Sequence, residues 1–246
     1  MLKLILTSLS FSFIISGFSQ RVTPSPETNG ILPVLIPSSN QGNILAAFEG
    51  QPFKVKPSDG IEGDPLLFED WKSGEVTLIN KEKYFVDKIN LDASNNKFIY
   101  SKNDTMFEFF NNVQEIKIYT ANHLSDPASD MVFRSDVKTI APNFVQVLSR
   151  GKITVYKEYV KKPKGENYSN GIVNITRKYV LQTTQNALVN DKIIPLKFNT
   201  STLEELTADK KSEVEAYLKQ NNLKPKREEE FVKAVNYYNS ISAAGN

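Results

Sequence analysis

The chain has 246 residues, 40% of them hydrophobic and 24% charged, enough for one large folded domain and too apolar for wholesale disorder. Its 30 basic and 28 acidic residues leave a formal charge of +2, so no whole-molecule field draws it to nucleic acid. The absence of cysteine excludes disulfides, thiol nucleophiles, thiolate metal sites and lipid attachment through an N-terminal Cys, and no motif calls for a cofactor.

Lys3 followed by the uncharged run Leu4 to Ile15 and by Gly17 and Ser19 predicts a signal peptide over 1–19, cut before Gln20. The run is short of the roughly 20 apolar residues a spanning helix needs, so no transmembrane span is expected after cleavage. The destination is the periplasm, the exterior or the outer membrane surface. Residues 20–43 carry Pro24, Pro26, Pro33 and Pro37 among small polar residues and predict an extended leader, with Ile31 to Ile36 as an edge strand.

From 44 to 200 the pattern is strand after strand. The runs Glu75 to Asn80, Lys88 to Asp92 and Lys97 to Lys102 are separated by Asn95-Asn96 and Asn103-Asp104 turn signals. Thr105 to Phe110, Val113 to Thr120, Met131 to Arg134, Phe144 to Arg150 and Ile153 to Val160 continue the series, with a tight hairpin at Arg150-Gly151-Lys152. Ile172 to Gln182 alternates, placing Val173, Ile175, Arg177, Tyr179 and Leu181 on one face. Lys192 to Phe198 closes the sheet. Residues 201–242 switch to helical spacing: Ser201 and Thr202 precede Glu204 and Glu205 as a capping box, and Val214, Tyr217 and Leu218 form an apolar stripe that ends at Asn221-Asn222. Pro225 and Glu228 to Glu230 open a second helix faced by Phe231, Val235 and Tyr238. The fold class expected is α+β: an antiparallel β body, sandwich or open barrel, carrying two short C-terminal helices.

Leu206-Thr-Ala-Asp209-Lys-Lys, Val214, Tyr217-Leu218, Asn222-Leu223-Lys224, Glu228-Glu229, Phe231 and Tyr237-Tyr238-Asn239, together with Trp71-Lys-Ser-Gly-Glu-Val76, carry a resemblance. Over about residues 68–240 the chain resembles an uncharacterised family of exported, β-rich proteins from Bacteroidota-type bacteria with a two-helix tail. The resemblance implies architecture and envelope location and brings no catalytic residue.

Candidate chemistry is sparse. His123 is the only histidine, and Ser125 and Asp126 are too near it in sequence to complete a triad without an unusual turn. It reads as a loop residue. Asp59, Glu62 and Asp64, and then Asp126 and Asp130, offer oxygen ligands without the spacing of a calcium loop, so turns are expected at both. Lys157, Lys161, Lys162 and Lys164, with Arg177 and Lys178 across a hairpin, suit either an anionic lipid or glycan surface or a charged edge that blocks aggregation; the edge is preferred. Phe107, Phe109, Phe110, Tyr156, Tyr159, Tyr168 and Tyr179 either line an apolar cavity or pack the core, and packing is preferred. The function expected is that of an exported envelope protein acting as a non-catalytic binding or structural module. A carrier of a lipid-like apolar ligand and a carboxylate-based hydrolase are the alternatives. An envelope protein or an apolar ligand is the partner expected, and no metal or catalytic residue is assigned.

Overall fold

A computed structural model of the chain describes residues 51–53, 61–109, 112–165, 168–169, 172–173 and 177–243. The expected signal peptide, the leader with its Ile31 to Ile36 strand, Asp59, Phe110 and the Tyr168 side chain lie outside the described residues.

The strands in chain order are β1 (Gln51–Pro52), β2 (Ile61–Glu62), β3 (Lys72–Leu78), β4 (Lys83–Asp92), β5 (Lys97–Lys102), β6 (Thr105–Glu108) and β7 (Val113–Ile118). They continue as β8 (Met131–Arg134), β9 (Val145–Ser149), β10 (Ile153–Lys164), β11 (Tyr168–Ser169), β12 (Ile172–Val173), β13 (Arg177–Val189) and β14 (Lys192–Pro195). The helices are α1 (Thr200–Leu206), α2 (Lys211–Gln220) and α3 (Glu228–Ala243). One sheet runs in the order β1-β6-β5-β4-β3-β7-β8-β9-β10-β13-β14, with β2 added in parallel to β13; β11 and β12 pair separately. Apart from β2, every pairing in it is antiparallel; β3 to β6 and β7 to β10 are two meanders joined where β3 meets β7.

Turn chemistry sets this order. Asn103 and Asp104 both take left-handed φ, 51° and 58°, and Asn190 and Asp191 do the same at 48° and 64°. Two consecutive left-handed residues make the mirror-image hairpin turn whose twist matches the strands, and Asn and Asp tolerate it best after Gly. Both pairs join neighbouring strands with no residue to spare.

Two cores result. Val76, Ile89, Leu91, Phe98, Tyr100, Ile116, Ile118 and Phe133 are buried together within the β3–β8 region. The rings fit edge to face, Phe98 and Phe133 at 5.0 Å and Phe98 and Phe144 at 5.1 Å between centroids. The second core joins Ile153, Val155 and Ala187 of the sheet to Leu203, Val214, Phe231, Val235 and Tyr238 of the helices.

The sheet rolls without closing. The backbone N–H of Lys161 in β10 donates to the carbonyl of Ala93 (3.1 Å), and Ser94 Oγ donates to the Lys161 carbonyl (2.7 Å), so the β4–β5 turn touches β10 from across the sheet. Beside that turn, the approach to β3 pairs with β4: Leu67 N–H donates to the Leu91 carbonyl (2.7 Å). Where this pairing breaks, the Asn90 amide substitutes for backbone, accepting from Phe68 N–H (3.1 Å) and donating to its carbonyl (2.8 Å). A bulge between Lys72 and Gly74 then brings Gly74 so close to β7 that a Cβ there would lie 2.1 Å from the Lys117 carbonyl oxygen.

Three details differ from the sequence expectations. The helical tail has three helices where two were expected, and its cap is Asn199, whose Oδ1 accepts from Thr202 N–H (2.8 Å). The buried Thr207 hydroxyl donates to the Leu203 carbonyl (2.8 Å) and ends α1, and a 3-10 turn over Ala208–Lys210 redirects the chain into α2. Pro225 is buried in the connection, three residues before α3, where Glu230 Oε2 of the helix reaches back to accept from Lys224 N–H (2.7 Å). Of the run expected as one strand over Ile172 to Gln182, Ile172–Val173 form β12 and the residues from Arg177 on belong to β13, which continues to Val189; residues 174–176 lie outside the described residues. The Thr183-Thr184 stretch of β13 is exposed, and burial resumes at Asn186 and at Ala187 beneath the helices.

The resemblance-bearing residues of the tail serve docking. Asp209 accepts from Tyr238 Oη (2.8 Å) and Lys152 Nζ (2.6 Å), the Tyr217 and Tyr237 rings stack at 4.1 Å, and Asn239 binds Ile153. No helix among the described residues is long and apolar enough to cross a membrane.

Candidate functional site

His123 sits in the turn after β7, and its Nδ1 lies 2.7 Å from Oδ2 of Asp130, whose side chain is 1% exposed. The imidazole stacks on Tyr119 at 3.7 Å, and the second Asp130 oxygen accepts from Thr120 N–H (3.1 Å). The neighbouring hydroxyls are engaged elsewhere. Ser125 Oγ donates to the Asn122 carbonyl (3.1 Å), and Ser129 Oγ donates to the Asp126 carbonyl (2.7 Å) while facing Thr120 Oγ1 at 2.6 Å. The His–Asp pair therefore fastens a loop, with Asp130 and not Asp126 as its acid, and no serine is aligned on the ring among the described residues.

The carboxylates are similarly occupied. Glu115 and Asp136 converge on Arg134, which holds Asp136 through two 2.7 Å bonds and also bonds Glu115. The guanidinium keeps the Asp136 carboxyl below the usual carboxylate range, aided by Arg150, so Asp136 is not tuned to carry a proton near neutrality. Asp64 Oδ1 accepts from Leu66 N–H (2.7 Å) and closes a turn, while Glu62 belongs to β2. Asp92 is buried, its oxygens accepting from Ser94 N–H, Asn95 N–H and the Asn95 amide at 2.8 to 3.1 Å.

The aromatics expected either to line a cavity or to fill the interior do the latter where they are buried. Tyr100 packs on Phe107 at 5.4 Å and on Phe109 at 4.7 Å, Tyr159 on Phe133 at 6.0 Å, and Tyr156 is fully buried. Burial pushes the phenols of Tyr100, Tyr156 and Tyr159 up to about 12. Tyr179 lines a surface cleft, and Phe109, itself buried, borders another.

The basic run divides by role. Lys157 Nζ bonds Glu228 at the start of α3 (2.6 Å), and Lys161 Nζ bonds the Leu66 carbonyl with Asp64 at 3.7 Å. Lys162 and Lys164 have no ion pair among the described residues. The register sets Lys164 opposite Lys178, so Arg177 and Lys178 do lie across the hairpin as expected.

The exposed end of the sheet gives the clearest opening. Strand β14 covers Asn186 to Val189 of β13, and β2 covers Arg177 and Lys178. Leu196 N–H donates to the Gln185 carbonyl (2.9 Å), which shows that odd-numbered residues of β13 turn their backbone groups to this edge. The same parity appears across β10, where Ile153 and Lys161 bond away from β13. Between β2 and β14, Leu181 and Thr183 thus present N–H and C=O groups to an edge that no described strand covers. Leu181 is 41% exposed, and Ile193 and Ile194 of β14 are 46% and 36% exposed. Sequence reading placed the end of this strand at Gln182; the Asn190-Asp191 turn signal, which the strand runs up to, would have extended it.

No family model matches the chain, and neither a curated protein nor a solved structure does.

Proposed function

We propose that the protein is an exported, non-catalytic binding module of the bacterial envelope, which takes an extended segment of a partner protein onto the open edge of β13. The stretch between β2 and β14 that no described strand covers carries this reading: the same edge already accepts one strand in parallel and one antiparallel, and a third adds by the same backbone bonds. Exposed Leu181, Ile193 and Ile194 supply the apolar contacts beside it. The packing of Tyr100, Tyr156 and Tyr159 and the engagement of Glu115, Asp136, Asp92 and Asp130 by neighbouring groups favour this reading over a carrier or a hydrolase.

Because the chain lacks cysteine, a single one at Leu181 can carry a benzophenone label. Irradiation in the cells that make the protein is expected to give one discrete cross-linked partner, lost in Thr183→Pro and absent when the label sits at exposed Leu124. Equal cross-linking from both positions, or indifference to the proline, overturns the edge reading. Export is tested by N-terminal sequencing of the mature protein, expected to begin at Gln20.

A further inference from the structure

Tyr217 of α2 and Tyr237 of α3 stack face to face, with ring centroids 4.1 Å apart and planes 4° from parallel, so the two phenols touch across the helix pair. Among the described residues this is the only ring pair made of two tyrosines. Both rings are half-buried and meet solvent at their edges, whereas Tyr100 and Tyr156 are enclosed in the sheet cores.

The helices hold the stack in place from both sides. Val214 is buried one turn before Tyr217, and Phe231, Val235 and Tyr238 are buried along the helix that carries Tyr237. The connection between them is short and bonded to the helices it joins: Leu223 N–H donates to the Leu218 carbonyl (2.9 Å), and Glu230 Oε2 accepts from Lys224 N–H (2.7 Å). Two reactive groups held in contact combine far faster than either does with a partner from solution. The chain also has no cysteine, so no thiol is present to reduce a tyrosyl radical and no disulfide can join these helices.

We propose that Tyr217 and Tyr237 are a modification site, at which hydrogen peroxide acting through a haem peroxidase joins the two rings as dityrosine and staples α2 to α3, independently of the partner-strand reading. Each phenol gives up one electron and its hydroxyl proton, which leaves radical density on the ring carbons ortho to the oxygen. An ortho carbon of one ring bonds to an ortho carbon of the other. The hydrogens on those two carbons then move as protons, through solvent, to the oxygens and restore both hydroxyls. The two electrons and two protons lost overall convert one peroxide to two waters. Solvent at the ring edges takes up the protons and leaves the rings room to turn out of the stack as the bond forms. The bond closes the chain between residues 217 and 237, and so restricts the unfolded tail as a disulfide would.

The test treats the purified protein with hydrogen peroxide and a haem peroxidase over a range of protein concentrations, under conditions in which free N-acetyltyrosine dimerises, and reads dityrosine fluorescence, intact mass and the tryptic map. A monomer lighter by two hydrogen atoms is expected, with a yield per molecule independent of concentration and a map that joins Tyr217 to Tyr237. Tyr217→Phe and Tyr237→Phe, which keep the stacked ring and remove one phenol, are each expected to abolish this product, and Tyr179→Phe to leave it unchanged. Near-ultraviolet circular dichroism confirms that each variant remains folded. The treated wild-type protein is expected to gain a resistance to urea that Tyr237→Phe, treated alike, does not. Absence of dityrosine overturns the proposal, as does a link found only in dimers and larger species, one mapped to other tyrosines, or a yield indifferent to both phenylalanine variants. Equal urea midpoints for the treated wild type and the treated Tyr237→Phe overturn the staple.

Discussion

Asn239 of α3 and Ile153 of β10 form a two-way hydrogen-bonded pair: the Asn239 Oδ1 accepts from Ile153 N–H at 2.9 Å and its Nδ2 donates to the Ile153 carbonyl at 2.8 Å. The same Nδ2 reaches Ser149 Oγ at 3.0 Å, so one helix side chain continues the β9 ladder past its last residue. Close approach is required. A Cβ at Gly151 would lie 2.5 Å from Asn239 Cγ, so the β9–β10 turn needs glycine to let the helix in. Asn239→Leu, which keeps the volume and removes both bonds, is expected to lower stability by about 3 kcal/mol in urea titration, because it strands buried backbone groups. A change under about 0.5 kcal/mol would mean that the helix is not docked on this turn.

Gly74 is held to its residue type by a backbone neighbour that cannot move aside. Gly74→Ala places a methyl group against the Lys117 carbonyl, and a loss of about 3 kcal/mol or more is expected on thermal or urea unfolding. An unchanged midpoint would show that β3 and β7 separate here at no cost.

The two aromatic anchors of the helical tail differ. Phe231 is fully buried against Phe198, with ring centroids at 5.3 Å, and Phe231→Ala is expected to cost about 3 to 5 kcal/mol. Tyr217 is half-buried and stacked on Tyr237, so Tyr217→Ala should cost about 1 kcal/mol. Equal losses would place both rings in the same environment, against the burial seen.

Burial raises Tyr100, Tyr156 and Tyr159 to about 12 from the ordinary value of 10.0. The folded state therefore favours the neutral phenols. Their contribution is complete below pH 10 and is lost as pH rises through 12, so urea midpoints should fall over that window. At the acid end Asp136 works in the opposite sense: its depressed value gives stability present above 3.8 and lost as pH falls below it. Removing the guanidinium in Arg134→Gln should flatten the acid limb and leave the alkaline limb unchanged.

Backbone parity along β13 gives a paired test of its edge. Thr183 points its N–H outward, so Thr183→Pro should cost under about 1 kcal/mol, whereas Thr184→Pro removes a bond to β10 and should cost about 3 kcal/mol or more. The reverse order would show that the edge faces the other way.

The sequence by itself determined the local structure and the class of fold. Strands β5 and β8 begin and end where their apolar runs do, Asn103-Asp104 fixes its hairpin, and Asn221-Asn222 stops α2, with Asn222 at a φ of 51° and Leu223 N–H returning to the Leu218 carbonyl. These depend on neighbours in the chain, and so they are legible in it. Only the tertiary structure decided what the polar residues do. Asn90 and Asn239 look like ordinary surface amides in sequence, yet each replaces a missing strand, because a rolled sheet breaks its ladders and the orphaned backbone groups must bond to something. The bond of Asn186 to Glu158 and the anchoring of Lys161 on the Leu66 carbonyl depend likewise on residues 28 and 95 positions apart. Spacing along the chain carries no record of such pairs, because they form only when strands and helices pack.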